Sequence, residues 1–244
     1  MNPAEYDRMY NLEDRYWWFV SRRELVLDIV RRLSLPHDPV IVDVGCGTGA
    51  TAAALSKIGS VVCVDVSPLA LDYCRQRGLG NLLEARAEYL PLEPGSADIV
   101  VALDILEHLE DDSAALKEIL RVLKPGGRIV ATVPACRILW SEHDVALAHK
   151  RRYTAGQLSQ KMRQAGFRVD TLSYVLFLLF PLAFLQRIFC RKPVSSDAAQ
   201  AQVPDFGSAV NKLLIKLQRA ETAVMRHIPL PWGVSVVCVA RKPE

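Results

Sequence analysis

The run Ile41-Val42-Asp43-Val44-Gly45-Cys46-Gly47-Thr48-Gly49 constrains this chain more than any other part of it. An apolar stretch ends in an acid and three closely spaced glycines, then enters the Ala-rich segment after Gly49. Glycine lacks Cβ, so it permits tight turns and lets a ligand approach the backbone. A second acid, Asp65, ends the next apolar run, Val61-Val62-Cys63-Val64. A parallel sheet builds a floor for a nucleotide-like cofactor in this way. A carboxylate at a strand end can accept hydrogen bonds from the vicinal hydroxyls of a ribose.

Two cofactors fit such a floor. Gly45-Cys46-Gly47-Thr48-Gly49-Ala50 satisfies the dinucleotide fingerprint, with an acid about 20 residues further on. Asp43, however, sits two residues before the first glycine. A carboxylate there repels a pyrophosphate and suits the ammonium of an amino acid. S-adenosylmethionine carries that ammonium together with a ribose, an adenine and a sulfonium.

The 244 residues suit one α/β domain with room for an added subdomain. Half are hydrophobic and the net charge is only +3, so the total shows no nucleic-acid footprint. The six cysteines are scattered, without a Cys-x-x-Cys pair or a His/Cys cluster at zinc spacing, so neither a disulfide framework nor a zinc site is expected. They read as small buried hydrophobes in a reducing compartment. The first residues lack a basic stretch followed by an apolar core, so no signal peptide is expected, and the expected location is cytoplasmic.

Residues 5–34 are expected to form one helical, aromatic and basic leading segment, with Leu25, Val26, Ile29, Val30 and Leu33 at helical spacing. Its aromatic residues either pack on the core or serve as a lid. Strands are predicted at 40–44, 61–65, 81–85, 98–103 and 127–133, as short runs buried on both faces. Helices fit at 50–58, 68–77 and 112–123, the second opened by Ser67-Pro68 and the third capped by Asp111-Asp112-Ser113. Pro125-Gly126-Gly127 reads as a sharp stop before the fifth strand. Thr154-x-x-Gln157 is a capping box for a helix to Ala165, closed by Gly166. This alternation implies a doubly wound sheet. A sixth strand over Phe167–Tyr174 precedes the apolar run Val175–Leu185, too short to span a bilayer. A loop at 193–208, an amphipathic helix from Val210 to Arg226 and a closing strand over Val234–Ala240 follow.

Four blocks, in this order and spacing, make the chain resemble a class I S-adenosylmethionine-dependent methyltransferase of the type 11/type 23 kind. They are Val42–Gly49, Val64-Asp65-Val66-Ser67, Leu103-Asp104-Ile105-Leu106-Glu107-His108-Leu109, and Leu123-Lys124-Pro125-Gly126-Gly127. The resemblance implies a Rossmann-like, doubly wound α/β sheet of seven strands. Its last strand is antiparallel, lies between the fifth and sixth, and is preceded by a helical insertion. The parts are then a lid at 1–38, a cofactor-binding core at 39–174, a partly apolar helical insertion at 175–230 and the closing strand at 231–244.

By the same resemblance, Asp43 and the backbone of Gly45, Cys46, Gly47 and Gly49 hold the methionine part of the cofactor. Asp65 takes the ribose, Val66 lines the adenine, and Leu103 and Asp104 face the methionine and sulfonium. Many relatives place an acid near adenine in a Gly-Asp-Ala-x-x-Leu-Pro setting. Arg86 stands in that place here, which leaves Ala87 or Glu88 for adenine.

Methyl transfer to an oxygen usually needs a base, and histidine is suited to it. His143 and His149 lie in the polar stretch Trp140–Tyr153, on the ligand-binding edge of the sheet, with His108 a third candidate. Asp144 could orient a histidine, and Arg151, Arg152, Tyr153 and Trp18 could contact an acceptor; the bland alternative is that these residues only tie the loop down. Asp104, Glu107 and His108 share one face if their turn is helical. Quinone-pathway O-methyltransferases have a similar block that can hold a divalent metal; without one, the same residues are a feature of the fold. The apolar 175–190 segment, with Arg187, Arg191 and Lys192, is either an internal cap or a patch that touches anionic lipid. The expected partner is a small or lipid-linked acceptor, with no nucleic acid, and membrane contact would put the chain on the inner face.

Overall fold

The Val- and Ile-rich runs leave no polar face, so they bury both sides by pairing in one sheet. The computed structural model describes residues 3–189 and 207–244. Its seven strands are β1 (Val40–Val44), β2 (Ser60–Asp65), β3 (Leu82–Glu84), β4 (Ala97–Leu103), β5 (Leu123–Pro134), β6 (Arg168–Val175) and β7 (Ser235–Arg241). Their order is β3-β2-β1-β4-β5-β7-β6. The first five run parallel, and β7 is antiparallel to both neighbours, β5 and β6. The resemblance implied this doubly wound α/β arrangement, and the strand order bears it out.

The helices are α1 (Pro3–Leu12), α2 (Trp17–Arg32), α3 (Ala50–Leu55), α4 (Pro68–Gln76), α5 (Asp112–Val122), α6 (Glu142–Ala146), α7 (Ala155–Gln164), α8 (Phe180–Phe189) and α9 (Gly207–Met225). One core unites Val42, Val100 and Ile129 of the sheet with Leu116 and Ile119 of α5 and Leu158 and Met162 of α7. The other unites Ile41, Ile99 and Val101 with Val26 and Val30 of α2 and Leu55 of α3. Local chemistry starts the helices where the sequence signals stood. Ser67 accepts from the Ala70 N–H, Asp111 accepts from Ser113 and Ala114, and Thr154 and Gln157 close a capping box. Ser141 and Asp144 form a second capping box, on α6.

Several boundaries differ from the sequence expectation. The leading segment is two helices, because Glu13–Tyr16 turn back onto Leu12 through the N–H groups of Arg15 and Tyr16. Helix α3 ends at Leu55 rather than 58. The fifth strand starts at Leu123, which pairs with Ala97 ahead of a register shift, so Pro125-Gly126-Gly127 lies inside the strand. Lys242 and the two glycines explain this: the Gly126 N–H donates to the Lys242 carbonyl, and the Lys242 N–H to the Gly127 carbonyl. The apolar run divides at Leu176, whose φ is +62°. Val175 completes β6, and the N–H groups of Leu176 and Leu178 donate to the Glu221 carboxylate of α9. The expected loop falls almost wholly outside the described residues, as do Arg191 and Lys192.

Candidate active site

Strand β1 carries Asp43 to the carboxyl edge of the sheet, where the glycine turn begins. Gly45, Gly47 and Gly49 have φ values of +73°, +55° and +84°, a region that side chains with a Cβ avoid. The N–H groups of Gly45 and Cys46 both donate to the Val64 carbonyl, at 2.8 and 3.1 Å, which pins the turn to β2. A Cβ on Gly45 would stand 2.9 Å from the Ile105 side chain, and one on Gly47 would stand 2.7 Å from Met9 Cε of α1.

Asp43 is 2% exposed, and no hydrogen-bond donor among the described residues reaches its carboxylate. Burial pushes its pKa up to about 8; the nearby Cys74 adds to the rise and the Arg22 guanidinium opposes it. Asp65 ends β2 and is the better-satisfied acid. It accepts from the N–H groups of Gly47 and Ser67, both at 2.9 Å. Burial still raises its pKa, against those two donors. Each oxygen keeps acceptor capacity for a further donor. Val66 beside it is 60% exposed, an uncovered apolar surface next to the acid. Ala87 and Glu88 are buried, and Glu88 is held by Arg86 at 2.9 Å.

Beyond β4 the backbone turns sharply. Asp104 has φ +52°, and its carboxylate accepts from Thr132 Oγ1 at 3.0 Å and pairs with the Arg22 guanidinium of α2. A cavity of about 30 Å³ adjoins the pair, walled by Trp18, Leu25, Val175 and Gln218 among others. The Arg22 Nε and Ser21 Oγ are buried there without partners. Leu103 is buried at the end of β4.

The next turn, Asp104–His108, and the polar stretch before α7 meet in one cluster. Ligand atoms of Glu107, His108 and His149 lie within 4.8 Å of one another. The His108 and His149 rings meet edge to face with centroids 4.7 Å apart. His149 Nδ1 is 2.9 Å from Asp144 Oδ1, and Nε2 is 3.9 Å from Glu107 Oε1. Asp144 also accepts a two-pronged contact from Arg152 at 2.8 and 3.0 Å. Burial works against the Asp144 charge, but the His149 and Arg152 hydrogen bonds outweigh it and hold the carboxyl well below its usual range. Glu107 is the reverse case. It is fully buried, both its carboxyl oxygens lack a hydrogen-bond partner, and burial raises its pKa well above the ordinary value. His108 is depressed to about 4, by burial first and by His149 second, so it is neutral at pH 7.

The structure therefore gathers Asp43, Asp65, the glycine turn, Asp104, His108, His149 and Trp18 along one sheet edge. It gives several expected acceptor contacts a different position. Tyr153 is 2% exposed, and its hydroxyl donates to Asp112 Oδ2 at 2.6 Å; Arg151 is engaged by the carbonyls of Leu109 and Glu110. Arg152 is spent on Asp144 and the Ala135 carbonyl, and Asp144 on Arg152 and His149. These four tie the loop to the core. His143 lies in α6, outside the Glu107–His108–His149 group. The expected trio Asp104, Glu107 and His108 is also not the one that converges, because Asp104 turns to Arg22 and Thr132 while His149 takes its place.

Sequence reading passed over Arg22, Glu13 and Met9 as site residues. Glu13 is buried, accepts from Thr48 Oγ1 in the turn, and pairs with Arg77 at 2.7 Å. The available signal was an acid and an arginine on a helical segment otherwise rich in aromatics.

The donor set fits S-adenosylmethionine. A buried carboxylate without a hydrogen-bond partner among the described residues, set at the glycine turn, suits an ammonium, and Asp65 with exposed Val66 suits a ribose and its base. The protein-family model for a methyltransferase domain matches residues 42–131. A "probable S-adenosylmethionine-dependent methyltransferase" of Mycolicibacterium smegmatis is 32% identical over 171 residues, covering 66% of this chain and 63% of that protein. The mitochondrial ubiquinone biosynthesis O-methyltransferase of Schizosaccharomyces pombe is 30% identical over 118 residues, covering 45% and 43%. The chain thus spans less than two thirds of the length of these relatives. A solved S-adenosylmethionine-dependent methyltransferase from Thermotoga maritima shares the fold, with a TM-score of 0.62, 22% identity, and coverage of 98% of this chain and 95% of that one. With three of the four sequence blocks at the carboxyl ends of β1, β2 and β4, and the fourth opening β5 at the opposite edge, the chain belongs to the class I S-adenosylmethionine-dependent methyltransferases.

Proposed function

We propose that this chain transfers a methyl group from S-adenosylmethionine to an oxygen of a small or lipid-linked acceptor, such as a glycan. The observation that carries the reading is Asp43, a buried carboxylate beside a glycine turn that no hydrogen-bond donor among the described residues reaches. When bound, the cofactor supplies an electrophilic methyl group on a sulfonium. Asp43 and the turn backbone hold its amino-acid part, Asp65 accepts from its ribose hydroxyls, and Val66 lines its base. Leu103 and Asp104 face the methionine end. The segment 1–38 acts as a lid, a role supported by Met9 over Gly47, Glu13 on Thr48 and Arg22 on Asp104.

His108 and His149 are the bases that support oxygen transfer. Asp144 accepts the Nδ1 proton of His149 and so leaves Nε2 free to take a proton. The relative named as an O-methyltransferase supports an oxygen acceptor. Leu178, Leu182 and Leu185 around α8 and Val210 and Leu213 on α9 are exposed, which supports peripheral contact with the inner face of a membrane. Among the described residues, no helix is long and apolar enough to cross one.

A second reading, a quinone or phenol O-methyltransferase with a divalent metal, is supported by the unpartnered Glu107 oxygens beside His108 and His149. Incubating the chain with methyl-labelled S-adenosylmethionine and lipid or glycan extracts tests both. Label in a chelator-insensitive product supports the first reading. Chelator-sensitive label in a phenolic product supports the second. Tight cofactor binding with no labelled product from any extract would leave a binding module and overturn both.

A further inference from the structure

Three thiols converge beneath the glycine turn, and neither the fold nor the proposed reaction calls for them. Cys46 comes from the turn itself, Cys63 from β2 and Cys74 from α4. Their sulfurs lie within 4.8 Å of one another, and the Cys46 and Cys74 sulfurs are 3.7 Å apart. Zinc binds thiolate at about 2.3 Å, which sets two sulfurs on a tetrahedral ion about 3.8 Å apart. The observed separation is already that edge, whereas a disulfide needs the sulfurs about 2.05 Å apart.

We propose that Cys46, Cys63 and Cys74 form a binding site for a thiophilic d¹⁰ cation of the zinc or copper(I) type. Three soft thiolates select such ions over magnesium or calcium. Cys63 and Cys74 are fully buried, and Cys46 is the partly exposed member through which an ion enters. A bound ion would replace the thiol protons, so binding releases protons.

The placement also gives the ion a structural reach. The Cys74 sulfur lies 2.8 Å from the position a Cβ would take on Gly49, and it contacts the Gly47 carbonyl at 3.4 Å. An ion held there braces α4 and β2 against the turn.

The test uses the full chain, reduced and freed of metal. Cobalt(II) titration should give a near-ultraviolet thiolate charge-transfer band that saturates at one equivalent, and zinc should displace it. Loss of an outer-shell partner alone costs a metal site about 10- to 100-fold, so Cys63→Ala and Cys74→Ser should each weaken zinc binding by at least about 10-fold. Cys238→Ser, on β7, should not. X-ray absorption of the zinc-loaded wild-type chain should show a first shell dominated by sulfur at about 2.3 Å, which decides the matter even if both variants misfold. Absence of zinc binding, or a shell of nitrogen and oxygen alone, would overturn the proposal. A metal lost in His149→Ala but kept in Cys74→Ser would place the ion in the histidine cluster and overturn it equally. None of these readings depends on methyl transfer.

Discussion

Arg22 of α2 pairs with Asp104 at the end of β4, so a helix that precedes the sheet in sequence closes onto the edge where the sheet binds ligands. The same guanidinium lowers the pKa of Asp43 and of Glu107. One cation therefore serves three acids. Arg22→Ala should cost about 1–3 kcal/mol of stability, the range for leaving a mostly buried charged partner unsatisfied. S-adenosylmethionine brings its own positive charges, so the loss should shrink when the cofactor is present. Urea unfolding with and without cofactor measures both, and an equal loss in the two conditions would show that Arg22 and the cofactor do not share these acids.

On the proposed function, Asp43 should make cofactor binding pH-dependent. Its folded pKa is raised, so the neutral carboxyl contributes stability that is present below the ordinary value of 3.8 and lost as pH climbs through about 8. An ammonium favours the ionised form, so binding releases a proton across that window. Affinity should then rise by up to about tenfold per pH unit from pH 6 towards pH 8 and flatten above it. Calorimetry across this range should show the slope in the wild type, and Asp43→Asn should bind weakly with no slope.

Asp65 fixes the turn, and the proposed function gives it the ribose as well. Its carboxylate holds the N–H groups of Gly47 and Ser67. Asp65→Ala should weaken S-adenosylmethionine by about 10- to 100-fold, from lost hydrogen bonds to a charged group at about 1.5–3 kcal/mol. Calorimetry that found unchanged affinity would remove the ribose assignment.

The Asp144–Arg152–His149 group should behave as a buried ion network. Asp144→Ala strands the Arg152 guanidinium in the interior, a change that costs about 3–5 kcal/mol. Chemical denaturation should report that loss, and Arg152→Ala should match it within about 1 kcal/mol if the two act as a pair.

Tyr153→Phe separates anchoring from acceptor contact. Removing the hydroxyl leaves Asp112 one donor short, though Lys161 still pairs with it at 2.6 Å. Stability should fall by about 1 kcal/mol with acceptor KM unchanged. A raised KM at wild-type stability would restore Tyr153 to the acceptor site.

The sheet and its cofactor edge were legible because they rest on local signals. Asp43, Asp65 and the glycines each sit at a strand end that apolar runs announce, and Ser67, Asp111 and Thr154 announce the helices that follow. Long-range pairings left no such mark. Asp104 reads as a ligand for a metal shared with Glu107 until Arg22, 82 positions away, is found on it. Arg152 and Tyr153 read as binding residues because charge and aromaticity look alike whether they face a ligand or the core. Which of the two applies was decided by Asp144 and Asp112, whose own burial no periodicity revealed. The break at Glu13–Tyr16 was hidden for the same reason, since it serves contacts with Thr48 and Arg77 on other elements.

Strand β7 fills the place between β5 and β6, so β6 reaches the sheet only through a segment made some sixty residues later. During synthesis β5 and β6 must wait with unpaired backbone edges until Ser235–Arg241 leaves the ribosome. A nascent chain stalled short of Ser235 would thus expose two sticky strand margins at once, and chaperone capture of such stalled chains should be far heavier than of the finished protein.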